Sequence, residues 1–285
     1  MDQNLLRKLQ LTELDILLDV DRFCKNHKIQ YSIYSGTALG AVRHRGFIPW
    51  DDDIDIVMVR SEYDRFCQLW LREAPAGYML ENIETDQNCE INHSKIRNTN
   101  TVMLRSHDKD DGRPHGIWID LFAWDKIECS FLKSIPFRFQ TAKLFLLTRA
   151  NGKYESESAG RKLGRTVFRL IPQRKRQQLE LRCLTWIRKH DRKLRKGYYW
   201  TSTSSFAGLG VRREPEFPFQ LEPIVFEGSE FPIFTDYDTY LRAAYGDYMQ
   251  LPPPEKRVCT HDPVKICFPD GDCYGSAKQA SGGSD

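Results

Sequence analysis

The segment that decides the fold runs from Tyr34 to Ile56 and reads Tyr-Ser-Gly-Thr-Ala-Leu-Gly-Ala-Val-Arg-His-Arg-Gly-Phe-Ile-Pro-Trp-Asp-Asp-Asp-Ile-Asp-Ile. Residues 53–59 alternate as a strand does, so Asp53 and Asp55 should project from the same face. Two carboxylates on one face repel, and each raises the pKa of the other unless a cation lies between them. Because Mg2+ is held by carboxylate oxygens together with substrate phosphates, the segment predicts a site for Mg2+ (or Mn2+).

A third carboxylate for this site should come from a neighbouring strand. Asp120 is the best candidate, because it is the one acid in the otherwise apolar run 116–122. A buried acid without a partner is costly, so a cation or strong hydrogen-bond donors should lie nearby. The alternative is a carboxylate that caps a backbone turn. Asp51 and Asp52 lie on the loop before the strand and should tolerate substitution better.

Phosphate contacts are expected from the small residues and the basic trio that precede the acids. Ser35 and Gly36 form a turn that opens a helix, whose exposed N–H groups suit a phosphate oxygen. Arg43 and His44 lie one short helix away and could clamp phosphates, whereas Arg45 is expected to be solvated.

Lys95 follows the acids on a later predicted strand. It is either a further phosphate contact or a surface lysine, and the residues around it leave both interpretations open.

The first motif resembles a known pattern. Ser35-Gly36 followed by Asp53-x-Asp55 resembles the signature of the nucleotidyltransferase superfamily. The fuller motif across residues 35–55 is similar to the LicD family of phosphotransferases, which includes fukutin-like proteins.

A second segment agrees with this resemblance. Residues 237–254, with Arg257 and His261 following, resemble the closing motif of the LicD family. The resemblance spans roughly residues 1 to 268. It implies an α+β fold, in which a nucleotidyltransferase-type mixed sheet has flanking helices and an inserted or appended basic helical subdomain.

The resemblance also implies a reaction. A phosphocholine or similar phospho-alcohol group would pass from a CDP-linked donor to a hydroxyl of a cell-surface glycan precursor (lipopolysaccharide, teichoic acid or capsule), releasing CMP. Asp53, Asp55 and Asp120 would hold the metal, with Asp120 also accepting the hydroxyl proton. CDP-choline is the favoured donor, while ethanolamine, ribitol and glycerol conjugates stay open. A choline group would suit the ring of Trp50 or Trp118, by a cation–π attraction of about 1–2 kcal/mol.

Two roles in the closing motif are left open. Arg257 and His261 either help to fold the C-terminal segment over the site or lie in a surface loop. In the first case both residues belong to the binding site.

Two other classes of function compete with this one. A nucleotidyltransferase would add a nucleotide to a small molecule or a nucleic acid, but the details of both motifs argue against it. A nucleic-acid or membrane-binding module could be built around residues 133–196, where basic residues interleave with aromatic ones. We interpret that stretch as an accessory surface that docks near lipid-linked glycan precursors, and we expect no nucleic-acid partner.

Composition and patterning predict the organisation of the chain. The boundaries are expected at 1–125 for the catalytic core, 126–200 for the basic helical subdomain, 201–274 for a C-terminal segment that returns to the core and 275–285 for a disordered tail. Predicted helices cover residues 3–26, 37–44, 62–71 (with Ser61 as N-cap), 130–150, 173–196 and 237–245. Predicted strands cover residues 29–34, 54–59, 78–83, 93–97, 101–105, 116–122 and 222–226, and a flexible loop is expected at 151–164.

The bulk properties are those of a globular protein, with 40% hydrophobic and 28% charged residues and a net charge of +3. No apolar run reaches the length of a membrane span and no signal-peptide pattern begins the chain, which predicts a cytoplasmic protein, peripheral at most to the inner face of the membrane. The eight cysteines form no Cys-x-x-Cys pair, so we expect free and mostly buried thiols.

Overall fold

Helices and strands follow one another in a mixed order along the chain. The structure is a computed structural model that describes residues 1–106, 108, 115–150, 159–201, 220–261 and 263–275. The helices are α1 (Gln3–His27), α2 (Ser35–His44), α3 (Arg60–Glu73), α4 (Phe131–Thr148), α5 (Ala159–Arg169), α6 (Gln173–Lys193) and α7 (Tyr237–Tyr245), with a short 3-10 helix at Pro254–Lys256. The strands are β1 (Ser32–Ile33), β2 (Asp55–Val59), β3 (Tyr78–Glu81), β4 (Ser94–Asn98), β5 (Val102–Arg105), β6 (Trp118–Ile127), β7 (Tyr198–Thr201), β8 (Leu221–Phe226), β9 (Ser229–Phe234), β10 (Pro263–Cys267) and β11 (Cys273–Gly275). This is the α+β class that the sequence predicted.

The largest sheet determines where the acidic residues meet. Its strand order is β1-β2-β6-β4-β3, and β7 also pairs with β6. Strands β2 and β6 run parallel, with Asp55 opposite Asp120, whereas β4 runs antiparallel to β6, with Lys95 opposite Asp120. The register of three strands therefore brings two acids and a lysine to one point in the sheet.

The C-terminal third of the described chain returns to this sheet. Strand β10 lies between β5 and β11 in a second sheet, and β8 and β9 form a hairpin. The backbone N–H of Phe234 in β9 donates to Ser32 Oγ in β1 at 3.2 Å. Residues far apart in the sequence are thereby placed around the first motif.

Helix α1 supplies one wall of the main core. Its first turn is capped by Asp2, whose side chain accepts from the N–H of Leu5 at 2.8 Å, and it ends at Lys28 in the left-handed conformation. The side chains of Leu9, Ile16 and Leu17 are fully buried against the sheet, and each contributes about 1.5–3 kcal/mol by burial.

A second apolar cluster joins α4 and α6 to the end of β6. Phe137 and Leu144 of α4 pack there with Ile187 of α6 and Ile127 of β6. The predicted domain boundaries near residues 125 and 200 flank this cluster and stay a prediction.

Three local predictions are wrong. Helix α3 begins at Arg60 after Val59, with no side-chain cap, so Ser61 is not its N-cap. Helix α5 occupies part of the predicted loop 151–164, of which residues 151–158 lie outside the described residues. Gly275 belongs to β11 rather than to a disordered tail, and residues 276–285 lie outside the described residues.

The cysteines differ from the expectation at one pair. Cys267 and Cys273 form a disulfide, because the antiparallel β10–β11 hairpin places them directly opposite each other with Cα atoms 4.1 Å apart. A hairpin register of this kind has no Cys-x-x-Cys signature. The other six cysteines are free thiols, and Cys24, Cys67, Cys89 and Cys183 are buried as expected.

A buried ion pair connects α3 to β6. Arg60 donates to both carboxylate oxygens of Asp125, at 2.6 and 2.8 Å, and Asp125 is fully buried. Burial raises the pKa of Asp125 even beside the guanidinium. Loss of one partner would therefore leave the charge of the other buried away from water.

We predict that Arg60→Met lowers the free energy of unfolding by about 3–5 kcal/mol, because it leaves the Asp125 carboxylate buried without its partner. The folded variant would then hold a proton on Asp125 more tightly than the unfolded chain, so its deficit should shrink at lower pH. Urea unfolding at about pH 8 and about pH 5 measures both effects. Arg242→Ala, which breaks an exposed Arg–Asp pair with Asp238, is the control and should cost about 0–1 kcal/mol; an equal loss in both variants would contradict the prediction.

Candidate active site

Three carboxylates converge where β2 and β6 lie side by side. Ligand oxygens of Asp53, Asp55 and Asp120 all lie within 4.8 Å of one another. Asp55 and Asp120 are register partners across the parallel strands, and Asp53 lies two residues before Asp55. The structure thus brings together the three acids that the sequence singled out.

Repulsion inside this cluster adds to the effect of burial on the pKa values of two of its acids. Burial and the charge of Asp120 raise the pKa of Asp53 to about 6, against the opposing effect of His261. Burial, Asp53 and Asp120 raise the pKa of Asp55 well above its ordinary value. A cation placed among the three would relieve this repulsion, and an all-carboxylate donor set suits a hard cation such as Mg2+ or Mn2+.

Asp120 differs from its two neighbours because donors surround it. His93 Nε2 lies 3.0 Å from Oδ1, Lys95 Nζ lies 3.6 Å from the same oxygen, and Trp118 Nε1 donates to Oδ2 at 3.3 Å. Burial alone would raise the pKa of Asp120, but Lys95 and His93 outweigh it and hold the pKa well below its ordinary value. A carboxylate that binds its proton so weakly suits a metal ligand better than a proton acceptor.

Lys95 is not a surface lysine, since only 3% of it is exposed. Its ammonium lies 3.6 Å from the centre of the Trp118 ring, and burial lowers its pKa to about 8. With Lys95 on its ring and its indole N–H engaged by Asp120, the buried Trp118 is not available to a choline headgroup. Lys95 contacts the acidic cluster, but it does not line the cleft of about 810 Å³ that opens beside the acids.

A cleft of about 810 Å³ opens beside the acids. Its walls come from α2, from the acidic loop between α2 and β2 (residues 45–54), from the end of α7 and from the closing segment that follows α7 (residues 246–261). The lining residues include Ser35, Gly36, Arg43, Trp50, Asp51, Asp53, Asp55, Tyr245, Tyr248, Arg257 and Thr260. Two acids of the cluster therefore face a space that is large enough for a small ligand.

Ser35 and Gly36 form the first turn of α2, which starts two residues earlier than predicted. Ser35 has a left-handed backbone with φ of 49°, and its Oγ lies 3.0 Å from the hydroxyl of Tyr245. A Cβ on Gly36 would come within 2.7 Å of Asp51 Oδ2, so a larger residue would collide with the acidic loop. Both residues at the start of α2 line the cleft.

Two arginines face the same cleft. Arg43 Nη1 donates to the carbonyl of Tyr248 at 2.6 Å, and Arg257 Nε donates to the carbonyl of Pro252 at 2.8 Å. Burial and the charge of Arg257 lower the pKa of Arg43. Neither guanidinium forms a salt bridge within the described ranges. Both line the cleft, where their charge suits a phosphate or diphosphate.

The remaining aromatic and basic candidates separate into two groups. Trp50 lines the cleft, and the guanidinium of Arg257 lies 5.5 Å from its ring centre. His44 does not line the cleft; it lies edge-on to Trp50, and burial followed by the charge of Arg43 lowers its pKa. Arg45 ends α2 and is exposed.

Asp52 attaches the closing segment to the acidic loop. The residue is 1% exposed, and its carboxylate accepts from Thr260 N and Oγ1 at 3.0 and 2.9 Å and from His261 N at 2.9 Å. Burial raises the pKa of Asp52, but the bonds from His261 and Thr260 outweigh it and lower the pKa below its ordinary value. The expectation that Asp52 tolerates substitution overlooked these contacts. They also bring His261 Nδ1 to 3.9 Å from Asp53 Oδ2.

Two residues near the acids, His93 and Glu13, were not predicted from the sequence. His93 lies two positions before Lys95, on the same side of the chain as a β-strand alternates, and that spacing was a usable signal. Glu13 interrupts the apolar stripe of α1 midway between Leu9 and Leu17 and is 2% exposed. Burial and then the charges of Asp53 and Asp52 raise its pKa well above the ordinary value.

We predict that Asp52→Ala loosens the closing segment, because its three backbone and hydroxyl donors lose their shared acceptor. Tryptic cleavage after Arg257 should become faster, while the bulk unfolding midpoint changes less. Asp247→Ala, which removes an exposed carboxylate from the same segment, is the matched control and should cleave at the wild-type rate. Equal protection of all three proteins would refute the attachment.

Comparison with known proteins agrees with this arrangement. Residues 28–145 match the family described as LicD/FKTN/FKRP, nucleotidyltransferase domain. The lipopolysaccharide cholinephosphotransferase LicD of Haemophilus influenzae is 32% identical over 270 residues, which cover 90% of this chain and 96% of the relative. Uncharacterized proteins of Rickettsia typhi and Rickettsia prowazekii are 36% and 37% identical over 75 and 73 residues, about a quarter of each chain. The chain belongs to the LicD family.

Proposed function

We propose that the protein is a metal-dependent phosphotransferase that moves phosphocholine from CDP-choline to a hydroxyl of a lipopolysaccharide or similar cell-surface glycan precursor, with release of CMP. The observation that carries the proposal is the convergence of Asp53, Asp55 and Asp120 beside a cleft lined by Arg43 and Arg257. The similarity to a lipopolysaccharide cholinephosphotransferase along nearly the whole of both chains supports the choice of group and acceptor. The nucleotidyltransferase-type core of the sheet is part of the same proposal.

The acidic triad would hold Mg2+ or Mn2+. The fit rests on three mutually repelling carboxylates whose oxygens lie within 4.8 Å and offer a hard, all-oxygen ligand set. A divalent cation bound there would supply Lewis-acid neutralisation of phosphate charge. Asp120 is held ionised by Lys95 and His93, and so it is ready to bind a cation without first losing a proton.

The residues around the cleft would hold the donor. Arg43 and Arg257 would contact the diphosphate oxygens, and the first N–H groups of α2, at Ser35 and Gly36, would receive a further phosphate oxygen. Trp50 lines the cleft beside Arg257, and the ring face that Arg257 does not cover would contact the quaternary ammonium of choline.

The alternative is a nucleotidyltransferase that adds a nucleotide to a small molecule or nucleic acid. It would use the same acidic triad, so the triad does not discriminate between the two reactions. The similarity to a cholinephosphotransferase covers 90% of this chain and 96% of that relative, and it favours the transfer of phosphocholine.

We predict that Asp53→Asn and Asp55→Asn each abolish turnover without unfolding the protein, because they remove metal-binding charge and also relieve repulsion. Calorimetric titration with Mn2+ should show binding to the wild type and little binding to either variant. Asp15→Asn, which changes an exposed carboxylate on α1, should bind Mn2+ and turn over normally. Full activity in the presence of EDTA, or in Asp53→Asn, would refute the metal proposal.

We predict that the protein with Mg2+, CDP-choline and a glycan acceptor releases CMP in step with choline incorporation, which chromatography with radiolabelled choline measures. Release of pyrophosphate from CTP or ATP instead would establish the nucleotidyltransferase alternative. CMP release from CDP-ribitol or CDP-glycerol but not from CDP-choline would retain the reaction class and overturn the headgroup.

A further inference from the structure

The described residues 131–150 and 159–179 form a basic lobe that the proposed reaction does not use. The whole segment 131–179 contains twelve lysines and arginines and two acids, Glu155 and Glu157, whereas the whole chain has 42 basic and 39 acidic residues. Both acids lie outside the described residues, and the described parts (131–150 and 159–179) contain no acidic side chain. The described parts of the lobe thus carry eleven basic residues and no acid, although the whole chain has a net charge of only +3.

The basic lobe also exposes an apolar stripe on α4, made of Phe131, Leu132, Ile135 and Phe139. Leu132 is 75% and Phe139 is 62% exposed. At 100° per residue these four side chains share about 100° of the helix circumference. They form one continuous apolar face. Apolar residues scattered singly over a surface need no explanation, but a continuous face does.

The opposite face of α4 already has a partner. Phe137, Leu144 and Leu147 are buried in the cluster that α4 shares with α6. The core-facing side of α4 is thus already packed, and the exposed stripe is a second apolar surface on the same helix. Packing among the described residues does not require this second surface.

A second helix adds exposed apolar residues to the lobe. A Cβ at Gly164, in the middle of α5, would lie 3.2 Å from Leu146 near the end of α4, so the two helices touch there. Val167 of α5 and Leu170, the residue after this helix, follow Gly164 in the chain. Both are exposed, Leu170 by 82%.

Basic side chains surround the apolar ones. On α4, Arg138 and Lys143 flank the stripe on its two sides by helical geometry, and the guanidinium of Arg138 lies 5.1 Å from the Phe131 ring centre. Lys133, Arg169, Arg174 and Lys175 are exposed on the same lobe. Protruding apolar side chains within a ring of cations are the pattern of an element that lies in the plane of a membrane surface.

We propose that the basic lobe binds an anionic lipid bilayer, with the stripe inserted among the acyl chains and the surrounding lysines and arginines at the lipid phosphates. No described helix is both long and apolar enough to cross a bilayer, so the contact is one of surface insertion. A second copy of the chain is disfavoured as the occupant, because it would bring two strongly positive lobes together. The proposal concerns binding alone and does not rest on the proposed reaction.

Vesicle flotation with the full chain tests the proposal. The wild type should float with vesicles of phosphatidylcholine and phosphatidylglycerol at low salt, but not with phosphatidylcholine alone. It should be released in about 1 M salt, where the Debye length falls to about 3 Å. The double variant Leu132→Ser/Phe139→Ser and the triple variant Arg169→Glu/Arg174→Glu/Lys175→Glu should each bind at least about tenfold more weakly.

Helix α3 offers a matched control, because Leu71 is 60% exposed and Arg72 follows it on the surface. Leu71→Ser/Arg72→Glu makes the same kinds of change outside the lobe and should float as the wild type does. Failure of the wild type to float, wild-type flotation of both lobe variants, or equal flotation with phosphatidylcholine alone would overturn the proposal. A concentration-dependent dimer in sedimentation velocity that Leu132→Ser/Phe139→Ser abolishes would assign the stripe to a second copy, and would also overturn it.

Discussion

The structure around the cleft depends on holding several carboxylates close together. The parallel pairing of β2 with β6 places Asp55 beside Asp120, and Asp53 joins them at the end of the acidic loop. Each nearby element reduces the resulting repulsion in its own way. Lys95 and His93 stabilise the charge of Asp120, the closing segment binds Asp52, and burial raises the pKa of Glu13. The ion pairs and caps around the site therefore follow from the electrostatics of one small region.

Local pattern was enough to predict much of this. The helix Tyr237–Tyr245 has the predicted bounds, because an apolar face and a terminating glycine are both readable within a few residues. The alternation at Asp53 and Asp55, and the isolation of Asp120 among apolar residues, likewise identified the triad. These signals lie within single elements, so no knowledge of tertiary pairing was needed.

What the sequence did not provide depends on pairing between distant segments. Nothing near Lys95 indicates that it faces Asp120 across two strands, and nothing near Asp52 indicates a bond to Thr260. The Arg60–Asp125 ion pair likewise joins residues 65 positions apart, whereas the Cys267–Cys273 bridge depends on the register of a short hairpin.

The link between Asp52 and Thr260 spans 208 residues, and this separation has a kinetic consequence. Contacts so distant in sequence form late, because a long loop must close before they stabilise anything. At about 5–20 residues per second, a ribosome needs roughly 10–40 s to add the intervening chain. During that interval the acidic loop exists without the segment that encloses the cleft, so the complete cleft forms only once synthesis has passed residue 261.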